Sequence, residues 1–508
     1  MSRKVWLAAT ATLAASIAAC GSPDDFAFDG PVISPPSDAA IEDALTSSTS
    51  PAIARDETPF RIAPVITPEP VSIEVDRIAG FGVNAEPRAW GSDGSSIRPS
   101  IDLMVKDLGA TIFRLGIKRG QSDWEQTNDD ADPAHIDWDV FDRYFGTDDF
   151  SDLYEYIRYL NGLGVDAIQI SAHGLLPAWM GSTELLPSME PEFVESMVAF
   201  LLHATTRSDP RINFRWFSPW NETDLGPPEG IDMEPEQQVR VATLLVAAMR
   251  QHPELDGIRL VMPEALDEAT SRLVRERSGP DLLDEVAAFS SHRYGAGFES
   301  DGFRGADPPQ WLSEFNAWVG RCFETEWQQG LDIVANVITA LRDGFTAAMV
   351  WNDFDGPHLH QDDEWQTFGL FAAVHPVVGC GLIGHPSDAV LDSIDYQPKP
   401  TYRAFWHVAR FVRPGAERIA LGSTDQTAVA FRNTNGSIVI VGMNPGQATT
   451  VVLALDLSDQ PPSSVVPVIS TSEIDRATRD SVAVRDGVVV VDVPARSVYT
   501  LVSTEVPS

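Results

Sequence analysis

Between about residue 78 and residue 405 the chain alternates short apolar runs with longer stretches of helical period. The apolar runs read IAGFGVN, ATIFRLGI, DAIQISAHG, FRWFSPWNE, IRLVMPEA, VAAFSSHRYG, QWLSEFN and TAAMVWNDF, eight in all. The intervening stretches carry good helices. In FSDLYEYIRYLNGLG, Leu153, Tyr156, Ile157 and Leu160 repeat at i, i+3, i+4 and i+7, and Gly162 and Gly164 can end the helix. EPEFVESMVAFLLHATTR has Pro191 in a first-turn position and an apolar stripe of Phe193, Met197, Phe200 and Leu201. GLDIVANVITALRDG stops at Gly344. Eight strands alternating with helices predict an α/β fold, a (β/α)8 TIM barrel, which typically takes about 250 residues at roughly 31 per unit. Val83 on the first run and Trp351 on the eighth are 268 residues apart. A doubly wound open sheet would not need eight units, and no GxGxxG turn follows a strand.

After Arg410 the period changes. TAVAFRNTNGSIVIVGMNP, ATTVVLALDL and GVVVVDVPARSVYTLV alternate with period two and are split by NG, NPG and DG turns. They predict a C-terminal all-β sandwich. The expected domains are therefore the barrel over 78–405 and the sandwich over 406–508. Residues 68–77, which contain the strand-like run PVSIEVD, are expected to return to the sandwich.

The N-terminus follows a different grammar. Arg3 and Lys4 precede an apolar segment, Val5 to Ile17, that is too short to span a membrane, and Ile17-Ala18-Ala19-Cys20 resembles a bacterial lipobox. The expectation is a lipoprotein signal peptide over 1–20 with Cys20 lipidated; a plain secretory signal with a chance cysteine is the alternative. Residues 21–67, rich in Pro, Ser, Thr, Asp and Ala, then form a tether. Either signal exports the protein. The lipid anchor would hold it on the bacterial cell envelope, at the outer membrane or cell surface, facing an extracytoplasmic compartment. In such a compartment Cys322 and Cys380 could form one disulfide or remain two separate buried thiols.

Charge narrows the partners. Against 36 basic residues stand 74 acidic ones, a net charge of −38. This argues against nucleic acid and against electrostatic docking on anionic lipid, so membrane contact is expected through the anchor on Cys20 alone. A well-solvated surface in a salty or extracellular setting accounts for the balance.

Catalytic groups of such barrels project from the C-terminal ends of the strands. The polar or aromatic residues closing the runs are Arg114, His173, Asn221 with Glu222, Glu264, His292 with Tyr294, Glu314 and Trp351. Two carboxylates stand out. Glu222 closes the fourth run and Glu314 the seventh, 92 residues later, close to three barrel units. Strands four and seven lie across the mouth from each other, so the two carboxylates can face one another over a bound sugar. Glycoside hydrolysis needs such a pair: one protonates the leaving oxygen while the other attacks the anomeric carbon.

WNE at the fourth strand, WLSEF at the seventh and Trp351 at the eighth resemble clan A retaining glycoside hydrolases. Within that clan the chain is most similar to family 30, through GFG opening the barrel, SHRYG at the sixth strand, FVRPGAERI before the sandwich and the terminal VPARSVYTLV. Families 5 and 39 share the barrel and are the alternatives. The resemblance implies that Glu222 is the acid/base and Glu314 the nucleophile. Asn221 would bond the sugar hydroxyl beside the anomeric carbon, Tyr294 would donate to Glu314, and His292 would line the same sub-site. Arg114 would sit below the nucleophile and lower its pKa. Trp351 would form a platform under the ring. The third strand departs from the family's tryptophan-containing pattern and shows SAHGLLPAWM, with His173 and Trp179 in its place as candidate substrate contacts.

Trp90, Trp179, Trp220 and Trp318 could stack sugar rings along an extended cleft. The loop DFDGPHLHQDDEW holds His358 and His360 among acids but has no specific ligand spacing, so it reads as a cleft wall. A retaining mechanism needs neither metal nor cofactor. The function expected is therefore a retaining β-glycoside hydrolase, a monomer acting on a β-linked polysaccharide or oligosaccharide. The alternative is a catalytically inactive carbohydrate-binding lipoprotein on the same barrel.

Overall fold

The computed structural model describes residues 76–503, apart from 119–124, 209, 295–301, 318–325, 356–367, 374–394, 422–426, 456–461 and 486. Cys20, Cys322, Cys380, Trp318, His358 and His360, and most of the run PVSIEVD, lie outside the described residues. No described helix is long and apolar enough to cross a membrane.

All eight apolar runs become strands of one closed parallel barrel: β1 (Gly80–Ala85), β2 (Ile112–Lys118), β3 (Ile168–His173), β4 (Trp216–Ser218), β5 (Arg259–Ala265), β6 (Val286–Ser291), β7 (Gln310–Phe315) and β8 (Phe345–Trp351). The barrel closes by pairing β1 with β8, Asn84 opposite Trp351. The predicted helices form at Asp148–Gly162, Glu190–Leu202 and Glu326–Asp343. The last ends at Gly344, whose φ of 105° is open to glycine and strained for other residues. Leu153, Tyr156, Ile157 and Leu160 are buried, as their spacing requires.

Side chains fill the barrel floor unevenly. Ala79, Ala167, Ala287, Ala288 and Ala347 leave room for two large rings, Trp216 from β4 and Trp311 from β7, which meet edge to face at 4.9 Å. One strand approach is closer than any side chain permits: a Cβ on Gly82 would lie 1.7 Å from the Ile112 carbonyl oxygen, so the GFG of β1 lets the first two strands close up.

The C-terminal region is the predicted all-β unit. A mixed-length sheet runs in the order Glu417–Ile419, Ala428–Arg432, Ile438–Asn444, Ser497–Ser503, Ser464–Ser470 and Ala477–Thr478, with Val482–Ala483 also on Ser464–Ser470. A hairpin-like pair, Thr449–Ala454 with Val488–Val493, covers its apolar face around Ile440, Leu453, Val489 and Leu501. The expected junction at residue 405 falls inside the helix Pro400–Ala409, which belongs to both halves. Its fully buried His407 contacts the Thr500 hydroxyl at 2.9 Å and the Ser470 hydroxyl at 2.8 Å. The start of the barrel is tied to the sandwich as well. Arg77 bridges to Glu417, and the Ile78 N–H donates to the Ala416 carbonyl at 2.9 Å.

Because Trp311 is wholly buried, Trp311→Ala should cost about 3–5 kcal/mol of unfolding free energy. Denaturant titration of the full chain reads this as a lower midpoint at unchanged slope.

Candidate active site

The polar layer lies directly above the aromatic floor, and alternation along the strands builds it. On β2, Ile112 points into the floor and Arg114, two residues on, into the layer above. Just before β3, Ala167 is in the floor, and Gln169 and Ser171 of the strand follow on the same face. His173 is the next inward position. Its ring lies across Gly116 of β2, where an added Cβ would stand 3.2 Å from Nε2.

Arg114 is 1% exposed and is the hub of the layer. Its Nη1 donates to Asn84 Oδ1 at 2.6 Å and to Glu314 Oε2 at 2.7 Å. Its Nη2 donates to Asn221 Oδ1 at 2.6 Å and Ser171 Oγ at 3.1 Å, and lies 2.7 Å from Glu264 Oε2. Asn84 is itself fixed, its amide donating to the carbonyls of Ser313 on β7 at 3.0 Å and Met349 on β8 at 3.1 Å. Five strand ends are thus referred to one guanidinium.

The backbone makes the delivery of Asn221 and Glu222 possible. β4 ends at Ser218, and Glu222 has φ 41°, in the left-handed region, so it does not follow the strand's alternation. Its N–H donates to the Glu264 carbonyl at 2.8 Å, and its own carbonyl accepts from Leu225 and Gly226. Gly230 closes this turn: a Cβ there would lie 1.8 Å from the Asn221 carbonyl oxygen, so the GPPEG segment packs directly on the catalytic backbone. Glu264 also has a positive φ, 55°, and sits where the β5–β6 register shifts. Glu314 lies at a second shift, between β7 and β8. Such bulges re-aim a side chain toward the mouth.

The outcome is a compact constellation. One oxygen of Glu222, one ring nitrogen of His292 and one oxygen of Glu314 all lie within 4.8 Å of one another. Glu222 and Glu314 are 5% and 8% exposed, enough for access from the mouth. Tyr294 is 38% exposed overall, and burial of its hydroxyl beside the charges of Glu314 and Glu222 raises its pKa well above the usual tyrosine value. Trp351 is half-buried and shares the inward face with Asn84.

Other residues stand elsewhere than expected. His292 does not line the open sub-site: it is fully buried, with Nδ1 2.7 Å from Glu222 Oε1 and Nε2 3.3 Å from Glu264 Oε2. Arg114, by contrast, does lie beneath Glu314, in the buried position expected of it. Trp90 and Trp220, expected as cleft platforms, are core residues at 3% and 2% exposure; Trp90 packs 5.9 Å from Tyr156 under Arg98. Trp179 is partly buried, with its indole N–H donating to the Glu125 carbonyl at 3.0 Å. The reading of strand ends missed Asn84 and gave Glu264 no role. Asn84 closes IAGFGVN, so the same rule could have found it.

Electrostatics follow from three carboxylates and two cationic groups in a dry layer. Burial works against a charged His292, but Glu314, Glu222 and Glu264 outweigh it and push its pKa up to about 10. Burial also works against ionised Glu264, yet Arg114 and His292 hold it down at about 2. For Glu314 burial prevails over His292 and Arg114, and its pKa is raised. Arg114 does pull the Glu314 pKa down, as expected, without reversing the net shift. The trio Glu222, His292 and Glu314 also has the spacing of metal ligands, though a retaining mechanism needs no metal.

Residues 415–501 match the family profile described as the glycosyl hydrolase family 30 beta sandwich domain. The fold is similar to that of a family 30 subfamily 8 xylanase from Clostridium acetobutylicum, with 17% identity and TM-score 0.61, covering 85% of this chain and 98% of that one. It is also similar to a family 30 endoxylanase from Clostridium papyrosolvens, with 17% identity and TM-score 0.60, covering 87% and 100%. The catalytic domain of a family 30 xylanase from Talaromyces cellulolyticus gives 19%, 0.63, 85% and 98%. At these identities the likeness to the solved structures is one of fold. The fold is thus that of glycoside hydrolases built on a (β/α)8 barrel with an appended sandwich. Within it, the resemblance to family 30 holds in the sandwich sequence and in the fold of barrel and sandwich together.

Linkage fixes a sign for the buried histidine. A histidine raised in the folded state stabilises fully below its unfolded pKa of about 6.5, and that stability is lost as pH rises through about 10. The melting temperature should therefore decline between pH 7 and pH 10, and His292→Gln should flatten that decline.

Proposed function

We propose that the chain is an exported, membrane-tethered retaining β-glycoside hydrolase that cleaves a β-linked polysaccharide by double displacement. One observation carries this: the carboxylate oxygens of Glu222 and Glu314 approach within 4.8 Å. Retaining enzymes hold their carboxyl groups about 5–5.5 Å apart, whereas inverting enzymes need about 6.5–9.5 Å to admit a water. In the first step the Glu314 carboxylate bonds the anomeric carbon as the glycosidic C–O bond breaks, and Glu222 gives its proton to the departing oxygen. In the second, Glu222 takes a proton from water, whose oxygen replaces Glu314 at the same carbon. Asn221, whose Oδ1 accepts from Arg114, would offer its amide to the neighbouring sugar hydroxyl. Trp351 faces the same space from β8, and His173 from β3. The tyrosine hydroxyl of Tyr294 steadies the nucleophile.

Three of the fold's neighbours are described as xylanases, which makes xylan the first substrate to test, ahead of other β-linked glycans. Export and anchoring rest on the basic flank, short apolar segment and lipobox ending at Cys20. A monomer with neither cofactor nor metal is sufficient for this chemistry.

The test is a panel of β-linked polysaccharides and aryl glycosides, with anomeric configuration followed by NMR. Retention is expected; inversion would reject the mechanism. Glu222→Gln should lower kcat by roughly 10²–10⁴-fold on substrates with poor leaving groups. Glu314→Gln should form no glycosyl-enzyme adduct with a fluoroglycoside trap, which mass spectrometry reads directly.

The nucleophile must be ionised to attack. Since burial raises the Glu314 pKa, the acid limb of kcat/KM should lie above the ordinary glutamate value of about 4.3, activity falling as pH drops through it.

A further inference from the structure

Glu264 is a fully buried carboxylate that cannot touch substrate, yet its position is tightly defined. Gln169 Nε2 donates to its Oε1 at 2.9 Å, while Arg114 Nη2 at 2.7 Å and His292 Nε2 at 3.3 Å share its Oε2. Its backbone joins the same unit: the N–H donates to Ser290 Oγ at 2.9 Å, and the carbonyl accepts from the Glu222 N–H at 2.8 Å. His292 therefore stands between two carboxylates, Glu264 on Nε2 and Glu222 on Nδ1, with Glu314 3.9 Å from Nδ1. The ring of Tyr294 crosses it edge to face at 6.3 Å, and Arg114 reaches both Glu264 and Glu314.

We propose that Glu264 is a positioning residue that keeps His292 protonated on both ring nitrogens, so that Glu222 carries its working proton on the oxygen His292 does not touch. An imidazole has one donor and one acceptor nitrogen, whereas an imidazolium has two donors. A neutral ring with Nδ1 bare, 2.7 Å from Glu222 Oε1, would take the Glu222 proton, leaving a carboxylate and a proton aimed away from the glycosidic oxygen. A ring already carrying both protons can only donate to Oε1. The Glu222 proton is then confined to Oε2, leaves from there to the departing oxygen, and is replaced there by the proton of the incoming water. His292 keeps both of its protons through the cycle. Glu264 has this effect because Arg114 favours its ionised form and it is buried against the far nitrogen, where no water screens it.

The inference rests on the retaining reading of Glu222, and two measurements separate the two. The first needs no substrate: the ring nitrogens of His292 are followed by 15N NMR in the full-length protein, assigned with His292→Gln. The wild type should show two protonated nitrogens at pH 8, and Glu264→Gln should show the neutral ring there. The second compares aryl β-glycosides of graded leaving groups. Glu264→Gln should lose roughly 100-fold in kcat/KM where the leaving group needs the acid, and little on a dinitrophenyl glycoside, which does not. Glu264→Asp should recover both properties in part.

A doubly protonated His292 in Glu264→Gln, or an equal loss across all leaving groups, would overturn the proposal. If Glu264→Gln does not fold, as judged by circular dichroism, Glu264→Asp is read in the same way: an unchanged histidine titration and an unchanged leaving-group slope count against it. A wild type that hydrolyses none of the glycosides defeats the enzymatic reading alone, because the NMR result stands apart from turnover.

Discussion

A guanidinium in a dry barrel must be neutralised, and that requirement at Arg114 organises everything above the aromatic floor. The side chain is 1% exposed and cannot borrow water. It meets Asn84, Ser171, Asn221, Glu264 and Glu314, from five successive or facing strand ends. Buried charge is tolerated only where geometry and hydrogen bonding are nearly complete. The position of Glu314 is therefore a by-product of solvating Arg114. The two opposing layers have different physics: below, alanines make space for Trp216 and Trp311; above, the buried charges are met by hydrogen-bonding and charged partners.

The backbone departs from regularity where this layer demands it. Glu222 and Glu264 both take positive φ values, uncommon for residues with a side chain, and a single backbone bond connects them. Glu264 and Glu314 each sit within a register shift near the end of their strand, in ladders that also shift once near their start. Regular strands would have turned at least one of these groups into the surrounding helices, so local strain and charge balance are two descriptions of the same construction.

Much of this was legible in the sequence. Eight apolar runs predict eight strands because both faces of a barrel strand are buried, and the change to period two after Arg410 marks a sheet with one dry face. Glu222 and Glu314 stand out because they close apolar runs three barrel units apart, and repeat length fixes which strands oppose. Depth is what the pattern does not encode. His292 and Glu264 close their runs as Tyr294 does, yet the first two are sealed and Tyr294 opens to the cleft. Alternation assigns a face and says nothing about how many layers lie above it. The tryptophans show the same limit: Trp90 and Trp220 are near strand ends but belong to the core, because aromatic residues near a barrel mouth serve packing as readily as recognition.

The helix Pro400–Ala409 has a consequence for how this protein can be divided. His407 is held neutral there, its pKa down at about 3, by burial and the charge of Arg476, and it is satisfied only by hydroxyls of the sandwich. Asp107, beside the barrel's second strand, bonds Tyr402 of that helix and Arg476 of the sandwich at once. A chain cut at this seam would expose polar groups shaped for one another and for nothing else. Barrel and sandwich are therefore best regarded as a single heritable cassette, in which recombination is free to exchange loops at the mouth while the two halves travel together.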